Sequence, residues 1–196
     1  MSIDCVSDVD LVARARQGDP AAFGELVERH RAAVYRAALA ALGSHADAED
    51  AAQDAFLLAF RRLDSFRGDA SFKTWLLTIA WHQAINRRRS LSRVWRRMVA
   101  HRDQEEAEAV LENVAAAGLT PEGTTAHHQL RHELRRAIRT LSPKLRDALL
   151  LAQSGEYTYE EIGTMLQSPV GTIKWRVSEA RRVLRTTLRS HGYDDV

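Results

Sequence analysis

The 196-residue chain has one cysteine, four prolines, ten glycines and no apolar run near the roughly 18 residues that a membrane-spanning helix requires. A lone Cys5 excludes an intrachain disulfide framework and an all-cysteine zinc site, and it favours a reducing compartment. The opening Met-Ser-Ile-Asp-Cys-Val-Ser-Asp lacks the basic and apolar stretches of a secretory leader, so the expectation is a cytoplasmic protein without membrane insertion. Scarce Gly and Pro beside abundant Ala, Leu and Arg make a helix-former composition. With 45% hydrophobic and 28% charged residues, the chain can bury a core and need not be disordered. No nucleotide-binding glycine loop, nucleophile elbow or carboxylate pair at catalytic separation is present, so no enzyme and no cofactor are expected.

What the chain does have is charge, arranged in blocks. Its formal net charge is only +2. Residues 1–60 nevertheless carry 5 basic and 10 acidic side chains, and residues 61–102 carry 11 and 2. Residues 103–123 carry 6 acidic and no basic ones, and residues 124–196 carry 12 basic and 8 acidic. Two basic blocks separated by an acidic connector suggest two contact points on a polyanion.

Hydrophobic spacing predicts helices and no strands in the first half. Leu11, Val12 and Ala15 mark a short amphipathic turn ended by Gly18-Asp19-Pro20. Phe23, Leu26, Val27, Val34, Leu39 and Leu42 predict a second helix stopped at Gly43. A third is predicted from about Ala46 to Leu63, with Ala52, Ala55, Phe56, Ala59, Phe60 and Leu63 inward. After a loop with turn residues Gly68 and Asp69, a fourth runs from Phe72 to Arg89. Its inward stripe is Phe72, Trp75, Leu76, Ile79 and Ala80, which places Trp75 in the core. Trp81 falls off that stripe and is available to stack on a base or a partner. The periodicity fades over 90–124, which reads as a linker, and returns in helices over His128–Leu141, Lys144–Ser154, Tyr159–Leu166 and Val170–Arg189. The fold class is therefore all-α, with two small helical domains joined by a flexible linker.

The last two helices carry the clearest mechanistic signal. Thr158-Tyr-Glu-Glu161 fits a capping box. Gln167-Ser-Pro then separates the short helix from a longer basic one, with Ser168 expected to cap and Pro169 to occupy the first turn. Short helix, tight turn and basic helix make a helix-turn-helix. Val170, Ile173, Val177 and Leu184 can pack inward, leaving Thr172, Lys174, Trp175, Arg176, Ser178, Glu179, Arg181 and Arg182 outward. That mixture of cations and short polar groups suits phosphates and base edges in a major groove.

At these residues the chain resembles the extracytoplasmic-function (ECF) group of bacterial sigma factors. Asp47-Ala-Glu-Asp-Ala-Ala-Gln-Asp-Ala-Phe56 is similar to the group's core-polymerase-binding helix. Phe66-Arg-Gly-Asp-Ala-Ser-Phe-Lys-Thr-Trp-Leu76, with Ile79-Ala80, is similar to its promoter-melting segment. Leu141-Ser-Pro, Tyr159-Glu-Glu-Ile162, Pro169-Val-Gly-Thr-Ile-Lys174 and Ala180-Arg-Arg182 are similar to its promoter-reading domain. The resemblance implies a region 2 domain at 1–91, a linker at 92–124 and a region 4 domain at 125–196.

It further implies partners and sites. Asp50, Gln53, Asp54 and Leu57 share one helical face and would grip the clamp of the largest subunit of core RNA polymerase, while the second domain would meet the flap of the second-largest. The −10 element would be handled by Ser65, Phe66, Arg67, Asp69 and Ser71, which would capture a flipped base, and by Lys73, His82, Asn86, Arg87 and Arg88 along the helix. The Arg87-Arg-Arg89 run reads as phosphate contact. The −35 element would be read by the eight outward residues from Thr172 to Arg182. The acidic connector would cross the polymerase near its active-site and RNA-exit channels, mimicking nucleic acid. An anti-sigma factor would hold the chain inactive.

The chain departs from the group's pattern at several positions. His82 and Asn86 stand where Asn and Asp are common, Trp175 where a small hydroxyl residue is usual, and Glu179 where a basic one is common. Glu179 could accept from a cytosine amine or pair with Arg182 or Arg176. Gln167 replaces a turn glycine, at a cost of about 1 kcal/mol if its backbone is left-handed. His128 and His132 are four apart but show no third ligand, so no metal site is expected. The alternative to a sigma factor is a stand-alone helix-turn-helix regulator whose first domain senses a ligand or dimerises.

Overall fold

The computed structural model describes residues 6–99 and 125–193. They fall in two compact units.

The first unit holds α1 (Asp8–Arg16), α2 (Pro20–Leu42), α3 (His45–Arg61), a 3-10 turn (Leu63–Ser65) and α4 (Phe72–Val99). Each start is written locally. The Ser7 hydroxyl accepts from the Asp10 amide at 3.2 Å. The Asp19 carboxylate accepts from the Ala21 and Ala22 amides, and Pro20 fills the first turn of α2. Ser44 caps α3 through the Asp47 amide. Asp8, in the first turn of α1, receives Arg29 at 3.1 Å and His30 at 2.7 Å from α2, which clasps the two helices together.

α4 runs on to Val99, beyond the expected end at Arg89 and through residues read as the start of the linker. The stretch after Arg89 contains Arg, Leu and Met but neither Gly nor Pro. Loss of the apolar period there marks the end of the buried face, while the backbone keeps its helical preference.

The core of this unit is built mainly from alanine. α2 buries Ala22, Leu26, Ala33, Val34, Ala37, Ala38 and Ala41, and α3 buries Ala48, Ala51, Ala52, Ala55 and Ala59. Small contact residues let helix axes approach closely, and α2, α3 and α4 pack mutually. Into this bundle α4 inserts Leu76, Leu77, Ala80, Ala84 and Trp81, which is only 1% exposed. The expectation for the two tryptophans is thereby reversed: Trp81 is core and Trp75 is half-buried. Because α4 lies against two helices at once, its buried arc is wider than a single stripe and takes in position 81. Phe60, expected inward, is 52% exposed, because the α3 face that packs is the alanine face.

The second unit holds α5 (Thr125–Thr140), α6 (Pro143–Gln153), α7 (Tyr159–Met165) and α8 (Val170–Ser190). Its hub is α8, which packs on each of the other three helices. Ile173, Val177, Ala180, Leu184 and Leu188 form its buried stripe against Leu149, Leu151, Ile162 and Met165. Val170, expected to pack inward with them, is half-buried.

The turn between α7 and α8 is tightly specified. The Thr158 hydroxyl accepts from the Glu161 amide at 3.2 Å while the Glu161 carboxylate accepts from the Thr158 amide at 2.8 Å, completing the capping box. Gln167 has φ 49°, the left-handed region a glycine would adopt without strain, which costs about 1 kcal/mol. The Ser168 amide donates to the Gly163 carbonyl at 2.9 Å, and a Cβ added to Gly163 would stand 2.9 Å from the Ser168 carbonyl oxygen. Only glycine lets α7 come this close to the turn. Ser168 does not cap α8, since its hydroxyl donates to the Leu166 carbonyl and Pro169 takes the N-cap position.

Candidate nucleic-acid interfaces

In the first unit the segment 66–71 forms one wall of an open pocket of about 580 Å³, and α1 forms the other with Val9, Ala13 and Arg16. This volume lies within the range of small-ligand sites, roughly 300–1,000 Å³, and suffices for one nucleotide. Arg16 sets its geometry. Nε and Nη2 donate to the Leu63 carbonyl at 3.2 and 2.9 Å, and Nη2 also donates to the Phe66 carbonyl. The guanidinium lies over the Phe66 ring, 6.0 Å from its centroid. Phe66 in turn meets Phe72 edge-on at 5.7 Å and Trp75 at 5.3 Å, so half-buried Trp75 supports the loop from behind. Ser71 caps α4, accepting from the Thr74 amide at 3.1 Å.

Of the residues expected at the −10 element, Phe66, Arg67, Asp69 and Ser71 line this pocket. Ser65 sits in the 3-10 turn with its hydroxyl on the Arg62 carbonyl at 2.6 Å. Lys73 is half-buried in the first turn of α4, and His82 and Asn86 are exposed further along it. Arg87 and Arg88 behave otherwise. Arg87 reaches Asp47 at 3.0 Å and Asp50 at 2.7 Å, and Arg88 donates to the Ala41 carbonyl at 3.2 Å. Burial works against the Arg87 charge, but hydrogen bonds to the two carboxylates outweigh it and raise its pKa above the ordinary value. Arg87 is thus a strut from α4 to α3, because α3 brings two carboxylates to the same end of the bundle.

The face expected to grip the polymerase is open. Asp50, Gln53, Asp54 and Leu57 are all exposed, Leu57 at 58%. Phe60 extends the apolar part of this face and meets the Phe23 ring of α2 edge-on at 4.9 Å. Beside it, Val27, Arg31, Tyr35, Gln53 and Phe56 line a groove of about 570 Å³ between α2 and α3.

On α8 the outward residues separate into two stripes. Lys174, Ser178, Arg181, Arg182 and Arg185, with Tyr159 of α7, surround a shallow pocket of about 410 Å³ that is rich in positive charge. Lys174 Nζ lies 6.0 Å from the centroid of the Tyr159 ring, and Arg181 donates to Gln153 Oε1 at 3.2 Å. The second stripe holds Trp175, 61% exposed, and Glu179, and Arg182 stands between it and the pocket. Thr172 is half-buried near the helix start, and Arg176 bends back to donate to the Ser168 hydroxyl at 3.0 Å.

The sequence did not reveal that α1, Tyr159 and Gln153 border these surfaces. Arg16 lies 47 residues from Leu63, and no periodicity links such positions. Among the described residues no group of three or more metal-ligating side chains occurs. His132 lies 3.5 Å from Glu133, and the His128 side chain, Cys5 and the acidic connector 103–123 lie outside the described residues. No helix among the described residues is long and apolar enough to cross a membrane.

Residues 26–94 match the family model described as Sigma-70 region 2, and residues 131–184 match that described as Sigma-70, region 4. The chain is 31% identical over 182 residues to the ECF RNA polymerase sigma factor SigW of Bacillus subtilis (strain 168), covering 91% of this chain and 95% of the relative. It is 34% identical over 184 residues to the ECF RNA polymerase sigma-E factor of Escherichia coli (strain K12), covering 91% and 93%. Among solved structures, CnrH in complex with the cytosolic domain of CnrY matches with a TM-score of 0.60 at 25% identity, over 93% of this chain and 97% of that one.

Proposed function

The chain belongs to the ECF group of RNA polymerase sigma factors, and from that premise we propose how its surfaces divide the work of promoter-specific initiation. Asp50, Gln53, Asp54 and Leu57 bind the clamp of the largest polymerase subunit, and the second unit meets the flap of the second-largest. The pocket between α1 and the segment 66–71 takes a base of the −10 non-template strand once it leaves the stack, while His82 and Asn86 contact neighbouring nucleotides. α8 enters the major groove of the −35 element. The setting is the cytoplasm, where polymerase and promoter are found.

One observation carries this reading. Within the first unit, an acidic and apolar helix face and a pocket rimmed by Arg16 and Arg67 are built on different elements. The two surfaces suit opposite partners, a basic protein helix and a nucleic-acid strand, and can be occupied together. CnrH was solved with a protein partner, the cytosolic domain of CnrY. A protein inhibitor of the anti-sigma class, covering the exposed Leu57 and Phe60, is the corresponding partner here.

The test is run-off transcription with core polymerase and this chain alone, using Asp54→Lys with Leu57→Ala. These two positions are chosen because Asp50 also carries the Arg87 strut. The double variant is expected to lose core binding by about a hundredfold or more while the chain's binding to −35 duplex is unchanged. Initiation at the wild-type level by the double variant would refute the assignment of this face.

A further inference from the structure

The −35 reading assigns α8 to a major groove, and the inference here rests on that reading and refines it. The cations of α8 differ in what they can recognise. Lys174, Arg181, Arg182 and Arg185 all border one shallow pocket, an arrangement that suits phosphate oxygens. Arg182 differs from the other three in being chelated by an anion of the same helix, Glu179.

That pair has a definite geometry. Arg182 Nε donates to Glu179 Oε2 at 2.8 Å and Nη2 donates to Oε1 at 2.7 Å, so both carboxylate oxygens and one edge of the guanidinium are engaged. A guanidinium has five N–H donors, and this chelation leaves both protons of Nη1 and one of Nη2 pointing away from Glu179. These donors form the fork that matches the N7 and O6 acceptors on the major-groove edge of guanine. The Glu179 side chain is 26% exposed and that of Arg182 65%, so the open end of the fork faces outward. An exposed pair three residues apart adds little to helix stability, so its value lies in fixing the orientation of the guanidinium. The hydrogen bond from Arg182 also holds the Glu179 carboxyl below the usual carboxylate range, so the pair stays ionised through neutral pH. A cytosine amine at Glu179 would have to share an oxygen with Arg182, using its second lone pair. Two other arginines of α8 have partners within the unit, Arg176 on Ser168 and Arg181 on Gln153.

We propose that Glu179 is a positioning residue that chelates Arg182 and presents its free Nη donors to one guanine of the −35 element. Neutralised by Glu179, Arg182 discriminates among bases more than it adds affinity for the backbone.

The experiment is selection of −35-region duplexes from a randomised pool by holoenzyme assembled from the full chain and core polymerase. Wild type, Glu179→Gln, Arg182→Lys and Arg182→Ala are compared position by position. Wild type is expected to enrich guanine at one position. Arg182→Lys, which keeps the charge but loses the fork, should reduce that preference by about tenfold or more, and Arg182→Ala should abolish it. Glu179→Gln should weaken the same position several-fold and leave the others unmoved, a pattern that a purely structural role would not give. Retention of the guanine preference by Arg182→Lys would overturn the proposal, as would a Glu179→Gln effect confined to a cytosine position. If wild type enriches no motif, −35 reading by α8 fails, and this inference with it; a motif indifferent to both arginine variants sinks the inference alone.

Discussion

In the second unit, the groups that face outward sit on one continuous helix, which is held from behind by its own apolar stripe of Ile173, Val177, Ala180, Leu184 and Leu188. In the first unit they are collected from elements far apart in the chain, with α1 supplying one wall of the pocket and the segment 66–71 the other. The difference is between a local and a non-local site. A site on one helix is as stable as that helix and its hub, whereas a pocket between two elements depends on the contacts that keep them in register. Here those contacts are few and specific: Arg16 on two main-chain carbonyls, and the Phe66, Phe72 and Trp75 cluster.

The comparison can be broken most sharply in the second unit. Gly163→Ala brings a Cβ within 2.9 Å of the Ser168 carbonyl, a main-chain atom that cannot yield without opening the turn. It should destabilise that unit by about 2–3 kcal/mol and weaken −35 binding, while the first unit keeps its core contacts. Hydrogen exchange resolved by residue checks this, with loss of protection confined to α7 and α8 as the expected result. A smaller effect is expected in the first unit. Arg87→Met removes the strut to Asp47 and Asp50, and the partial exposure of all three side chains limits the loss to about 1 kcal/mol. Thermal unfolding should register that shift, and core binding should fall only a few-fold as Asp50 loses its orientation.

The same contrast explains what could be read from the sequence. The helix-turn-helix was legible because its signals are local: a capping box four residues long, a three-residue turn and an apolar stripe of helical period. The outward set on α8 followed from that period by subtraction. Three features were hidden. α4 packs on two helices, so a single-stripe reading put Trp75 inside and left Trp81 out. The Arg87 strut depends on carboxylates 37 and 40 residues away, which no pattern within the run of three arginines reports. Arg16 finds its acceptors on main-chain carbonyls, whose positions no side-chain pattern reports. The pairing of Glu179 with Arg182 also required side-chain geometry, since Glu179 had both cytosine and arginine partners open to it.

The most direct test of this account asks whether the two nucleic-acid surfaces fail independently. Holoenzyme assembled with the wild-type chain should raise the fluorescence of 2-aminopurine placed in the −10 non-template strand as bases leave the stack. Arg16→Met leaves the Leu63 and Phe66 carbonyls without their donor and releases the pocket wall. It is predicted to cut that signal about tenfold or more while the −35 footprint of the same complex stays at the wild-type level. An undiminished 2-aminopurine signal from Arg16→Met, or equal loss of signal and footprint, would contradict it.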